Sequence, residues 1–463
     1  MRFFKLIERF LKAILPSPFT IAILLTIVTF ILALTIAPVG GDFGNRIIQV
    51  AKYWEEGIWN PPLMVFAMQM MLMLVLGHVL ALTEPVDRLI RSVLVYCKNT
   101  ATSAFVVTLL TILVALFNWG LGLIFGAILA RKVGEYAHKQ KMTLNYPLIG
   151  AAGYSGLMVW HGGISGSAPI KAAEEGHLKG LMSGVLDENV LEGLPGSLSF
   201  SETVFGSMNL TTILLLVIVL PLFMYLLGKK FDTAAHLPGK HFTLSNPTEG
   251  KAAGAERIDH VRWFPIVIGG LMLVYTVYSA TDSYATNGLG FITPNFINLL
   301  LLGMGLFFHR SISSFLQAVN EAIGGASGIL IQFPLYFGIM GIMSSSGLVE
   351  LMSDFFVSIS TERTFPIFSF FSAGIVNVFV PSGGGQWGVQ GPIIIKAALE
   401  LGVSMPKALM ALAYGDQLTN MLQPFWALPL LGITGLSARS ILPYTVSLMF
   451  IGIALFCGVL LIF

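Results

Sequence analysis

Asp416 lies in Tyr414-Gly-Asp-Gln-Leu-Thr-Asn-Met-Leu-Gln-Pro-Phe-Trp426, a polar break in sequence otherwise apolar enough to sit in lipid. By the span assignments below, it is the one acidic residue well inside an apolar segment. A charge at that depth is expensive and usually marks an ion or substrate path. Its chemistry has three readings. It could ligate a coupling Na⁺, with Thr419, Asn420, Ser382 and hairpin carbonyls as further ligands, because a hard cation wants oxygen. It could take up a proton, or it could cap a half-helix, a common role for Asp. A second break, Asn377-Val-Phe-Val-Pro-Ser-Gly-Gly-Gly-Gln-Trp-Gly-Val-Gln-Gly-Pro392, gathers a proline, three glycines, Ser382, Gln386 and Gln390. Irregular backbone survives in hydrocarbon only where protein buries it or it lines a watery cavity. Such a break is a candidate solute site.

Two weaker signals accompany these. His161, in Trp160-His-Gly-Gly-Ile-Ser-Gly-Ser167, could act as a protonation switch, since histidine titrates near neutral pH. A lone His beside glycines is more often hydrogen-bonded to a neighbouring helix, and His78 reads that way. Gly163-Ile-Ser-Gly-Ser167 approaches a nucleophile turn, but Ser167 occupies the last glycine position. With no His-Glu-x-x-His motif and no second deep aspartate beside Asp416, no enzyme and no cofactor is expected.

The elements that must position these residues are apolar. The chain has 463 residues, 55% hydrophobic and 11% charged, with a mean hydropathy of +0.81. A soluble domain carries roughly 25% charged residues, so the composition is that of an integral membrane protein surrounded by lipid. The net charge of +2 gives no reason to expect a nucleic-acid partner. Residues 1–16, basic and amphipathic with no small-residue cleavage site after them, predict an interfacial helix and not a cleaved signal peptide.

Apolar runs at 17–38, 61–83, 146–170, 208–228, 263–281, 293–309, 322–345, 405–430 and 440–462 are each near the ~20 residues a spanning helix requires. Runs 102–130 and 363–397 are too long for one span and break at Asn118-Trp119-Gly120 and at Pro381–Gly385. They read as re-entrant hairpins whose legs each cross about half the bilayer. Hairpins, with a cytoplasmic N-terminus, gather most Lys and Arg on the inner side. Full spans would export the loop at 229–262 and import the acid-rich loop at 171–206. The C-terminus is then external. Cys97 and Cys457 fall on opposite sides, so no disulfide is expected.

The order span, span, surface helix, hairpin, broken span, span occurs over 17–228 and again over 293–463, with 229–292 as cytoplasmic loop and connecting span. The surface helices read as 83–91 and 347–356. A constant offset pairs Asn118 with Asn377, Pro147 with Pro406 and Gly156 with Gly415. The two copies start on opposite sides, and inverted repeats with discontinuous helices at the midplane recur in transporters. The expected fold is an all-α polytopic membrane protein with inverted repeats, about nine full spans, two of them broken, and two re-entrant hairpins.

The motifs at 377–392 and 415–426 resemble those of bacterial short-chain fatty acid transporters of the acetoacetate/butyrate uptake type, a likeness running from Pro16-Ser-Pro-Phe19 to the last span. That family is grouped with the ion transporter superfamily. The resemblance implies uptake of a small carboxylate across the bacterial inner membrane by an elevator motion, often in a homodimer. A dicarboxylate carrier or a passive channel is the alternative.

A short-chain carboxylate needs its charge met and its tail left in an apolar pocket. The sequence offers no Arg or Lys near the predicted midplane, so half-helix N-termini, backbone N–H groups, hydroxyls and amides must serve. Ser382, Gly383, Gly384 and Gly385, with Gln386, suit this, since glycine exposes backbone N–H groups. Asn118 and Gly120 would stand opposite, with Ser155, Thr419 and Asn420 from the broken spans. Small-residue packing is the competing explanation for glycines such as Gly122 and Gly126. Asp416, Asn118, Ser382, Asn420 and His161 are the candidates for coupling Na⁺ or H⁺. Trp119 and Trp387 could cover the alkyl tail.

Overall fold

The computed structural model describes residues 16–183, 186–231, 254–287, 291–309 and 311–463. The interfacial helix expected at 1–16 lies, but for Pro16, outside them. The described residues are helical and loop structure without strands, and both cysteines are free. Seven helices among them are long and apolar enough to cross a membrane. Hydrocarbon demands this, because a helix satisfies its backbone internally. Starts are marked by side-chain caps and by proline, whose missing N–H is harmless in the first turn. Ser17 precedes Pro18, Asn60 precedes Pro61 and Thr293 precedes Pro294, each accepting a backbone N–H.

Chain order runs through Pro18–Thr35, Phe43–Ile58, Pro61–Ala81 and the short Glu84–Leu94 to the first hairpin, Thr100–Phe117 and Trp119–Lys139. The first broken helix follows, then Ser207–Lys230. After Trp263–Asn287 come Pro294–Phe308, Ile312–Ala322 continued by Ser327–Ser345, and the short Leu348–Ser358. The second hairpin, Phe365–Phe379 and Gly383–Leu401, leads to the second broken helix and to Ala438–Ile462. The two short helices occupy the places expected of surface helices. Trp263–Asn287 exposes Leu271 and Val274, as a lipid-facing helix should.

Four expectations are corrected. Phe43–Ile58, expected as loop, is an amphipathic helix capped by Asp42. It packs so closely on the helix through Gly341 that a Cβ at Gly57 would lie 2.9 Å from the Gly341 Cα. The hairpin legs, of 18 and 21 residues and of 15 and 19, exceed half a bilayer, since ~10 residues would cover 15 Å. The first hairpin outruns its apolar sequence because its charges are paired. Arg131 Nε donates to Glu135 at 2.9 Å, and Lys132 meets Asp87 at 3.2 Å.

The triple glycine is not unwound. Only Val380, Pro381 and Ser382 interrupt the second hairpin, and Gly383 begins its second leg. Nor does Asp416 cap a half-helix. Met405–Thr419 continues past it, and the second half, Leu428–Thr434, starts eight residues after Asn420 with Ala427 at its cap. Pro424, which removes a donor and restricts the residue before it, sits in the middle of that interruption.

Candidate functional site

Both breaks and both hairpin tips converge, because each is the place where an apolar element must satisfy polar backbone. Tyr146–Tyr154 gives way to two short 3₁₀ turns, Ser155–Met158 and Trp160–Gly162, before helix resumes at Ser167. This unwound stretch reaches the opposite break. The His161 N–H donates to Gln417 Oε1 at 2.8 Å, the Asn420 amide to the Leu157 carbonyl at 3.3 Å, and the Tyr154 hydroxyl to the Asn420 carbonyl at 2.9 Å.

His161 and Asp416 meet at the centre of this contact. The Ala168 N–H donates to His161 Nε2 at 3.0 Å. That acceptor role leaves the ring proton of a neutral imidazole on Nδ1, and Nδ1 stands 3.5 Å from Asp416 Oδ2. Both residues are buried, and among the described residues neither of these two atoms has a hydrogen-bond partner. Trp160 stacks on the His161 ring at 4.3 Å. Above them lies Gly383. A Cβ there would be 2.8 Å from Trp160, 2.9 Å from His161 and 3.2 Å from Asp416 Oδ2.

A cavity of about 390 Å³ opens beside this point. Its walls include Trp119 from the first hairpin, Trp160 from the first broken helix, Trp426 from the second, and Phe66. Their rings interlock, with Trp119 5.8 Å from Trp160 and 5.3 Å from Trp426. Ser382, Gly383 and Gly384 line it from the second hairpin. The first N–H groups of a helix have no intrahelical acceptor. Ser382 Oγ accepts that of Gly385 at 3.2 Å, and among the described residues those of Gly383 and Gly384, two residues of the cavity lining, meet no such acceptor.

The other predicted residues lie elsewhere. Asn118 caps its own leg, accepting the Leu121 N–H at 2.9 Å, and Gly120 abuts Met73. Ser155 is buried and donates to the Ala152 carbonyl at 2.7 Å. Gly385 faces Met340. Gln386 is buried against its partner leg, donating to the Ala373 carbonyl and to Gln390 Oε1, both at 2.9 Å. Thr419 and Asn420 take part in a lock around Asn377, whose amide lies 2.9 Å from Thr419 Oγ1 and 3.1 Å from Asn420 Oδ1. Trp387 is buried away from the cavity, donating to His177 at 3.1 Å.

Sequence reasoning gave no site role to Asn377, Ser165, Lys171 or Glu174. Asn377 anchors the second break to the second hairpin through the Asp416 carbonyl at 2.7 Å, and Gln423 donates back to the Asn377 carbonyl. Ser165 joins the first break to the first hairpin by accepting the Trp119 N–H at 2.9 Å. Lys171 and Glu174, expected in a loop, line the cavity. A lysine therefore lines the cavity, although the sequence offers none near the predicted midplane. Nothing local signals this, since the pair reaches the site only because the chain folds back after its first break.

Comparisons with known proteins show the family of the chain. A family model described as short chain fatty acid transporter matches residues 1–463. A protein of Escherichia coli (strain K12) named for short-chain fatty acid transport is 35% identical over 468 residues, covering 99% of each chain. A Haemophilus influenzae protein named for the same activity is 35% identical over 440 residues, covering 94% of this chain and 93% of its own.

Proposed function

The chain belongs to the short-chain fatty acid transporter family, and from that premise we propose that it moves short-chain monocarboxylates such as butyrate or acetoacetate across the bacterial inner membrane, driven by a cation gradient. One observation carries the reading. A cavity with aromatic sides and two uncommitted backbone N–H groups adjoins a buried Asp–His pair. The alkyl tail lies against Trp119, Trp160 and Trp426. The carboxylate receives hydrogen bonds from Gly383 and Gly384, where the helix dipole favours negative charge.

Coupling follows from the placement of Gly383. Because the tip of the second hairpin rests on Asp416 and His161, ion occupancy there and substrate occupancy above share one piece of backbone. A proton is favoured by the 3.5 Å approach of two atoms that lack other partners. Sodium is favoured by a different observation: Asp416 Oδ2, Asn377 Oδ1 and Gln423 Oε1 are all buried oxygens without donors, as a hard cation requires. The hairpins and broken helices then move together as the carrier domain of an elevator, within a homodimer of inverted repeats. The N-terminus faces the cytoplasm and the C-terminus faces out.

Radiolabelled butyrate uptake into proteoliposomes, with Na⁺ and pH gradients imposed separately, tests this for wild type and Asp416→Asn. Accumulation driven by one gradient and lost in the variant is expected. Survival in the variant removes Asp416 from coupling. Equilibration that ignores both gradients means a channel, and absence of monocarboxylate flux sinks the substrate.

A further inference from the structure

Resting on the reading of the cavity as the carboxylate site, we propose that Lys171 and Glu174 select the charge of the substrate. Lys171 gives one N–H to the substrate carboxylate, and Glu174 cancels the remaining field so that a second carboxylate is rejected.

The geometry begins with Ser167, the atom nearest to a Cβ built at Gly384 being the Ser167 Cβ at 4.0 Å. Lys171 follows four residues later in the helix Ser167–Ala173, and residues four apart share a helix face. Lys171 thus stands one turn beyond the point where this helix meets the hairpin tip. Its Nζ lies 2.8 and 3.0 Å from the two oxygens of Glu174. An ammonium has three donors. One carboxylate gripping two of them leaves the third for a ligand.

Lys171 and Glu174 are the ionisable residues of the cavity lining, and they contribute no net charge. A monoanion entering this space meets a donor on Lys171 and the two glycine N–H groups. A dianion carries a second charge into a space whose one cation is already neutralised. Both side chains are about half exposed, at 50% and 49%, so the pair can rearrange around a ligand. His177, which follows on the same segment, is close enough to feel the charges of both.

An i,i+3 pair in a solvated loop ordinarily contributes little, and a bystander pair would leave transport unchanged. The discriminating experiment measures butyrate uptake into proteoliposomes and its inhibition by succinate, for wild type, Glu174→Gln, Lys171→Gln and Lys171→Arg. In Glu174→Gln the succinate inhibition constant should fall about tenfold relative to the butyrate KM, because one negative charge has left the cavity lining. Lys171→Gln should raise the butyrate KM about tenfold with kcat little changed, and Lys171→Arg should recover most of that loss. An unaltered butyrate-to-succinate ratio in Glu174→Gln, or an unaltered KM in Lys171→Gln, overturns the inference while leaving the cavity as the carboxylate site. Wild type that carries no monocarboxylate overturns the site and the inference together.

Discussion

The two hairpins are built alike and finished differently. Each turns on a polar N-cap, Asn118 in the first and Ser382 in the second. In the first, the leading N–H group of the second leg is committed. Ser165 accepts that of Trp119, and Asn118 accepts those of Leu121 and Gly122 through side chain and carbonyl. In the second, Ser382 accepts those of Gly385 and Gln386 in the same way, but among the described residues no such partner meets the leading Gly383, which lines the cavity with Gly384. A hairpin tip deep in a membrane protein is therefore not a binding site by virtue of being a tip. It becomes one where its backbone is left unpaired and its side chains are small enough to admit a ligand.

The sharpest way to break that contrast lies within the second tip. A Cβ at Gly383 would press on Trp160, His161 and Asp416, whereas one at Gly384 meets only Ser167 at 4.0 Å. Gly383→Ala should cut butyrate kcat/KM by about 10²-fold, the scale on which a displacement of about an ångström acts in a preorganised site. Gly384→Ala should stay within about threefold of wild type, since its methyl enters ordinary contact distance. Proteoliposome kinetics on both variants decide the matter. Equal losses would mean that the tip does not rest on the Asp–His pair as described.

Much of this was legible because polar punctuation inside apolar sequence has few structural solutions. Asn118, Pro381 and Pro424 marked the interruptions, and Asp416 announced itself by depth. What escaped notice depended on faces and on the third dimension. Gln386 and Gln390 are four residues apart and share the leg face turned toward Ala373 and Ser372, so neither reaches the cavity that Gly383 and Gly384 line. Phe43–Ile58 was hidden by Arg46, Lys52, Glu55 and Glu56, which lower its hydropathy although it buries Val50 and Gly57 on one face. The distance in sequence between Lys171 and Ser382 concealed their common wall.

The caps themselves give the next test. Losing either N-cap side chain should cost about 1 kcal/mol of stability, visible as a small fall in melting temperature in detergent for both Asn118→Ala and Ser382→Ala. Only Ser382 lines the cavity. Ser382→Ala should additionally raise the butyrate KM about fivefold, the effect of one neutral hydrogen bond lost or misdirected, while Asn118→Ala keeps a KM within about twofold of wild type. A KM raised in Asn118→Ala and untouched in Ser382→Ala would reverse the roles assigned to the two tips.

The smallest effect concerns what holds the second hairpin against the loop beyond the first break. Trp387 donates its indole N–H to His177 Nε2 at 3.1 Å, and only a neutral imidazole can accept there. Burial holds the His177 pKa below its ordinary value, with the Glu174 carboxylate opposing and the Lys171 ammonium assisting. A histidine depressed on folding contributes stability that is present above its unfolded pKa, about 6.5, and lost as pH falls through the lower folded value. Trp387→Phe removes the donor and part of a buried ring, a packing loss that does not depend on pH. Loss of the bond should add about 1–2 °C to the fall in melting temperature at pH 8, as one net hydrogen bond implies. That added deficit should vanish at a second pH below the lowered folded value, where protonation of His177 has removed the acceptor. The first hairpin offers an internal control, because the Asn118 cap and its Ser165 bond contain no group that titrates in this range. Asn118→Ala should therefore show the same deficit at both pH values, and a Trp387→Phe deficit that is equally constant would remove His177 from the contact.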